Sequence, residues 1–196
     1  MSRRFAGLAG LALVGTLLLS GCAPQYTDPD DRSASFGAAV AAELKDLQPH
    51  PDEVRVRGDY DGISLDIQLG DMSFDDSRAF IESALPIIQD SPLGAMPVRF
   101  VLSHEATPSG GGGLEWRGYD PARADRYFGA LQLWFDILAD PGVKVDEPFQ
   151  LEAAKVWGSI TVLDGRDPDL YRADLLARLA QIGYADPYLA VAAAKS

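Results

Sequence analysis

Apolar and polar residues alternate most regularly over Ile63 to Leu69, where Ile63, Leu65, Ile67 and Leu69 are separated by Ser64, Asp66 and Gln68. A period of two is that of a strand with one buried face. Helical spacing marks three other segments. Phe80, Ile81, Ala84, Leu85 and Ile88 form one stripe, Tyr127, Phe128, Leu131, Trp134, Phe135 and Leu138 a second, and Tyr171, Leu175, Leu179 and Ile182 a third. Each places its apolar residues on one side of a helix. Pro86 within the first stripe predicts a kink, because proline removes an amide hydrogen and crowds the preceding turn. Phe36, Val40, Leu44 and Leu47 predict a further helix over Phe36 to Leu47, ended by Gln48-Pro49-His50-Pro51.

From residue 53 the chain reads three times as strand, strand, helix. The first unit is Glu53 to Arg57, the turn Gly58-Asp59-Tyr60-Asp61-Gly62, the strand Ile63 to Leu69 and a helix from Ser73. The second is Pro97 to Ser103, a loop containing Gly110 to Gly113, the strand Leu114 to Arg117 and a helix from Pro121. The third is Val143 to Asp146, Val156 to Leu163 and a helix from Pro168. Helix starts at 73, 121 and 168 are spaced by 48 and 47 residues. Two of them share a start signal, Gly118-Tyr119-Asp120-Pro121 and Gly165-Arg166-Asp167-Pro168, with Asp as N-cap and Pro at the first helical position. Ser73 with Asp76 three residues on is the corresponding cap of the first. One-sided strands and one-sided helices predict an α+β domain, a two-layer antiparallel sheet with helices on one face. Its connectivity would be three strand-strand-helix repeats or a ferredoxin-like core in βαββαβ order. Tyr188 to Ala194 is apolar but too short to span a bilayer, and reads as a tail lying on the domain.

Ahead of the domain, Arg3 and Arg4 precede an apolar segment from Phe5 to Leu19, shorter than the roughly 20 residues a spanning helix needs. Leu19-Ser20-Gly21-Cys22 closes it. These features resemble the type II signal peptide of bacterial lipoprotein precursors, whose lipobox ends in an aliphatic residue, two small residues and Cys. The resemblance implies that a diacylglycerol is attached to the Cys22 thiol and that residues 1–21 are removed, so that acyl chains hold the protein to a membrane. Residues 22–35 would then be the lipidated Cys and a flexible acidic stalk, with Pro24, Asp28, Pro29, Asp30 and Asp31, and residues 36–196 a single domain. The location implied is the exported side of the cell membrane, on the outer leaflet of the plasma membrane, or the outer membrane in a host that has one. Cys22 is the only cysteine, so no disulfide can form within the chain. The folded domain resembles no family.

Charge narrows the partners. The 196 residues hold 17 basic and 29 acidic groups, a net charge of -12, which becomes -14 if Arg3 and Arg4 leave with the leader. A surface of that sign repels nucleic acid, which is not expected as a partner. The chemistry-bearing motifs are incomplete. Gly110 to Gly113 lacks the Lys-Ser/Thr ending of a phosphate loop. Asp59-Tyr60-Asp61-Gly62 suits a hairpin turn, since in a calcium-loop alignment Arg57 and Gln68 fall on ligand positions. Arg57-Gly58-Asp59 is likewise a turn-forming tripeptide. His50 lies between prolines, and Ser103 and His104 are strand neighbours facing opposite sides. No catalytic residue, metal ligand or cofactor is assigned.

The alternation that buries one strand face sets Arg55, Arg57, Arg99, Lys144 and Arg117 on the other, with Val101, Ser103, Glu115, Trp157, Ser159 and Thr161. In an acidic chain such a grouping points to a face for an acidic protein or an envelope polymer, with Trp157 as a stacking anchor. The plainer reading is cross-strand pairing, Arg55 or Arg57 with Asp66 and Arg99 with Glu115. A non-enzymatic binding or envelope-interaction module is the function expected. The alternative is a carboxylate-based envelope hydrolase, recognisable by a deep pocket with two carboxylates about 5 to 9 Å apart.

Overall fold

The structure is a computed structural model that describes residues 29–59, 62–92, 97–105, 113–152 and 155–194. The leader, Cys22, the first part of the expected stalk, Tyr60, Asp61 and Gly110 to Gly112 lie outside the described residues. Helix α1 (Pro29–Lys45) opens the described chain and leads to the hairpin β1 (Glu53–Asp59) and β2 (Gly62–Gln68). Helix α2 (Phe74–Asp90) follows, then β3 (Val98–Ser103), β4 (Leu114–Arg117), a 3-10 turn over Pro121–Arg123 and α3 (Ala124–Leu138). The last unit is β5 (Val143–Glu152), β6 (Lys155–Val162), α4 (Pro168–Ile182) and β7 (Asp186–Ala193). The architecture is α+β.

All seven strands form one sheet in chain order, β1-β2-β3-β4-β5-β6-β7. The expected antiparallel sheet is corrected to a mixed one. The pairs β1–β2, β3–β4 and β5–β6 are antiparallel, whereas β2–β3, β4–β5 and β6–β7 are parallel. The cause is the connection: a helix between two strands carries the chain back to the end where the first strand began, so the second runs the same way. The ferredoxin-like alternative is also corrected, because that fold interleaves its βαβ units whereas every helical connection here lands on the adjacent position. Residues 188–193, expected as a tail, lie in β7, paired with β6 from Lys155↔Asp186 to Val162↔Ala193. Residues 29–35, expected as flexible stalk, belong to α1. Helix α2 continues through Pro86 to Asp90.

The caps form where the sequence places them. Ser73 Oγ accepts from the Asp76 amide at 3.1 Å, Asp120 accepts from Ala122 at 3.0 Å, and Asp167 from Asp169 at 2.8 Å. Each satisfies an amide that a helix start leaves without a partner. Helix α4 ends on Gly183, whose φ of 100° is left-handed, and the Tyr184 amide closes the turn on the Leu179 carbonyl at 2.9 Å.

One set of alternate strand positions, including Val54, Leu65, Ile67, Phe100, Leu102, Trp116, Leu151, Val156 and Ile160, is buried together with Leu44, Phe80, Ile81, Leu131, Trp134, Leu175 and Leu179 of the helices. Trp116 is fully buried, with its ring 5.6 Å from Phe100, 5.5 Å from Tyr127 and 6.2 Å from Phe128. Between helices, Phe74 meets Phe135 edge-on at 6.1 Å. At Gly129 a side chain would bring a Cβ 2.6 Å from Ile182, so the glycine permits the close approach of α3 to α4. Truncating Trp116 to Ala empties the centre of this aromatic group and should cost about 3–5 kcal/mol, read as a lowered urea midpoint.

Arg166 ties two distant turns, with Nη1 2.5 Å from Asp140 Oδ2 and Nε 2.9 Å from Asp164 Oδ1. It also stands 5.2 Å from the Tyr171 ring centroid. Hydrogen bonds from Arg166 hold the carboxyls of Asp140 and Asp164 below the usual carboxylate range. A lowered folded pKa means that the stabilisation is complete above the ordinary value of about 3.9 and is lost as pH falls through the folded value. Arg166→Ala should therefore flatten the acid limb of a stability-against-pH curve while changing stability little at neutral pH, since water screens these exposed groups.

Candidate functional site

The opposite set of strand positions is polar. Register sets Ser64 beside Arg99, Arg99 beside Arg117, and Arg117 beside Glu152 across β2 to β5. Farther toward β1, Asp66 stands beside Arg55. The guanidinium of Arg57 makes the ion pair to Asp66, at 3.0 Å, while Arg55 turns to Glu53 at 2.7 Å. Toward β6, Lys144 lies 3.1 Å from Asp146, which also accepts from Thr161 at 2.6 Å.

The centre of the face is Glu115. Its side chain is 5% exposed, and the same oxygen, Oε1, lies 2.7 Å from Arg99 Nε and 2.6 Å from Arg117 Nε. Arg117 donates a well-aligned hydrogen bond that raises its own pKa further. Arg99 Nε is close enough for an ion pair, yet it is buried without an aligned hydrogen-bond acceptor among the described residues. Burying a carboxylate is costly without compensating cations, and here two of them share the task.

Two cavities open along the face. The larger, of about 440 Å³, lies at the ends of β2 to β5 and is bordered by Gly62, Ser64, Arg99, Arg117, Gly118 and Glu152 among others. The smaller, of about 210 Å³, is bordered by Glu53, Arg55, Arg57, Asp66, Gln68 and Ser103 among others. The five residues singled out from the sequence are thus divided. Arg99 and Arg117 share one cavity, and Arg55 and Arg57 share the other. Trp157 borders neither; it lies on β6 beside Gln150 and Tyr188, two strands from Arg117.

Glu152 was missed by the sequence reading, which ended β5 at Asp146. The alternation of Phe149 and Leu151 with Gln150 and Glu152 was the signal for the longer strand. Register irregularities on either side of Glu147 accompany Pro148, which has no amide hydrogen for the ladder. His104 follows β3 with Nε2 3.1 Å from the Met72 carbonyl oxygen and its ring 5.2 Å from Phe135. Among the described residues, no cluster of three or more His, Cys, Asp or Glu could hold a metal ion, and no helix is long and apolar enough to cross a membrane.

Comparison with family models, curated proteins and solved structures found no match. The chemistry of the site therefore stands on its geometry.

Removing the shared carboxylate while keeping its shape tests the central triad. Glu115→Gln leaves two opposed guanidiniums without their counter-charge and should destabilise by about 1–3 kcal/mol. Adding Arg99→Gln should restore part of that loss, and chemical denaturation of both single variants and the double variant measures the coupling.

Proposed function

We propose that this chain is an exported bacterial lipoprotein, tethered by lipid on Cys22 to the exported side of a membrane, whose polar sheet face is a non-enzymatic docking surface for an acidic envelope partner. The observation that carries the docking role is the placement of Arg55, Arg57, Arg99 and Arg117 on one face of a chain of net charge -12. Their side chains are between 39% and 62% exposed. Three carboxylates, Glu53, Asp66 and Glu115, pair with these four arginines and Glu152 lies beside Arg117, so the grouping is close to neutral within a strongly acidic chain. The tether is supported by Arg3, Arg4, the apolar run Phe5 to Leu19 and the lipobox Leu19-Ser20-Gly21-Cys22.

The same reading takes the domain as three strand-strand-helix repeats closed by β7, with the four helices in one layer and the sheet in another. Its support is the hairpin-then-helix connectivity that recurs three times, the contacts of α1 with α2, α2 with α3 and α3 with α4, and the single core they share with the sheet. One layer of helices requires consecutive crossovers of opposite hand, since β2 and β4 run in opposite directions while the chain advances across the sheet the same way, so at least one crossover departs from the usual right-handed sense. Such a layering leaves the arginine-bearing face free to meet a partner.

Two measurements test the proposal separately. Cys22→Ser should abolish incorporation of labelled fatty acid and release the chain from the membrane fraction; labelling that persists overturns the tether. Replacing Arg55, Arg99 and Trp157 together by Ala should remove partners that co-purify from the native envelope. An unchanged partner set, with the fold intact by circular dichroism, overturns the docking face.

A further inference from the structure

Arg99 and Arg117 are direct cross-strand partners on antiparallel β3 and β4. Like charges in that position work against sheet formation. Glu115 compensates one of the two positive charges, so the triad retains one. Each arginine directs Nε toward the same Glu115 oxygen, and no bond from the terminal nitrogens of either guanidinium to another described residue accompanies these contacts. Both side chains border the 440 Å³ cavity, a size within the usual range for small-ligand sites. Ser64 and Glu152 stand on the same wall.

We propose that this cavity is a carboxylate-binding site, in which the terminal nitrogens of Arg99 and Arg117 together hold one monoanionic carboxylate, of a small organic acid or of a side group on a polymer. Guanidinium donors match the two oxygens of a carboxylate in plane and spacing. Charge limits the valence of the ligand: Arg99, Arg117, Glu115 and Glu152 sum to zero, so a dianion is opposed more strongly than a monoanion held by the guanidinium donors. Ser64 is unavailable as a competing donor, because its hydroxyl bonds Asp66 at 3.0 Å. The site deepens the reading of the face as a docking surface but stands on different residues from Arg55, Arg57 and Trp157.

The test uses the full chain in detergent, labelled with ¹⁵N-arginine, and follows the Nε–H resonances as acetate, inorganic phosphate or short polyglutamate is added. Acetate should shift Arg99 and Arg117 saturably and leave Arg55 and Arg57 in place. At alkaline pH, where phosphate is mostly a dianion, phosphate should bind more weakly. Arg99→Gln and Arg117→Gln each leave Glu115 one cation, so both should fold, and each should weaken acetate binding about tenfold, the scale of one lost charge-assisted interaction. Saturable polyglutamate binding with the same two arginines shifted identifies a polymer as a competent source, and acetate alone identifies a small acid.

Absence of saturable shifts at Arg99 and Arg117 with both carboxylate probes overturns the site, as does equal or tighter binding of phosphate. Polyglutamate binding that survives Arg117→Gln and shifts only Arg55 and Arg57 also overturns the site, while leaving the broader docking face standing.

Discussion

A helix between two strands must return the chain to the end of the sheet from which the first strand set out, and this constraint sets the direction of every second pair. Helices α2, α3 and α4 have 17, 15 and 15 residues, about 22–26 Å at 1.5 Å per residue. A seven-residue strand at about 3.3 Å per residue covers much the same distance. Helices and strands are thus matched in length, and their buried residues share one core. Trp116 marks the middle of that core, reached by Tyr127 and Phe128 from α3 and by Phe100 from the neighbouring strand.

The polar face follows a different energetic rule. Exposed pairs such as Arg57–Asp66 and Lys144–Asp146 are screened by water and contribute little each. Glu115 differs because it is buried, and its charge is tolerable only while cations remain beside it. The two arginines that satisfy it belong to adjacent strands, so the carboxylate couples the register of β3 and β4 to the electrostatics of the cavity.

Much of this was legible along the chain because it depends on local period and local chemistry. Ile63 to Leu69 shows its buried face by alternation, Asp120 and Asp167 show their caps by position before proline, and Arg99 and Glu115 were paired by their common face. Strand direction was not legible, since a period of two is the same in parallel and antiparallel pairs. Strand β5 runs past Asp146 because register irregularities around Glu147 and Pro148 let the ladder resume at Gln150. In β7 the exposed positions include Ala190 and Ala192, so its alternation with Leu189 and Val191 is one of size more than of polarity. The cavity between Arg99, Arg117 and Glu152 depends on β3, β4 and β5 being neighbours, which no single stretch of sequence states.

Because spatial order and chain order coincide, every strand after β1 pairs with the strand just before it in the chain. No pairing has to wait for a segment made later, and no closed loop exceeds one hairpin or one helical crossover, so the entropy cost of each closure stays low. The sheet can grow by accretion from its β1 edge, each hairpin serving as the template for the next. A chain that emerges amino-terminus first, from a ribosome or through a pore, presents its strands in the order in which the sheet can accept them.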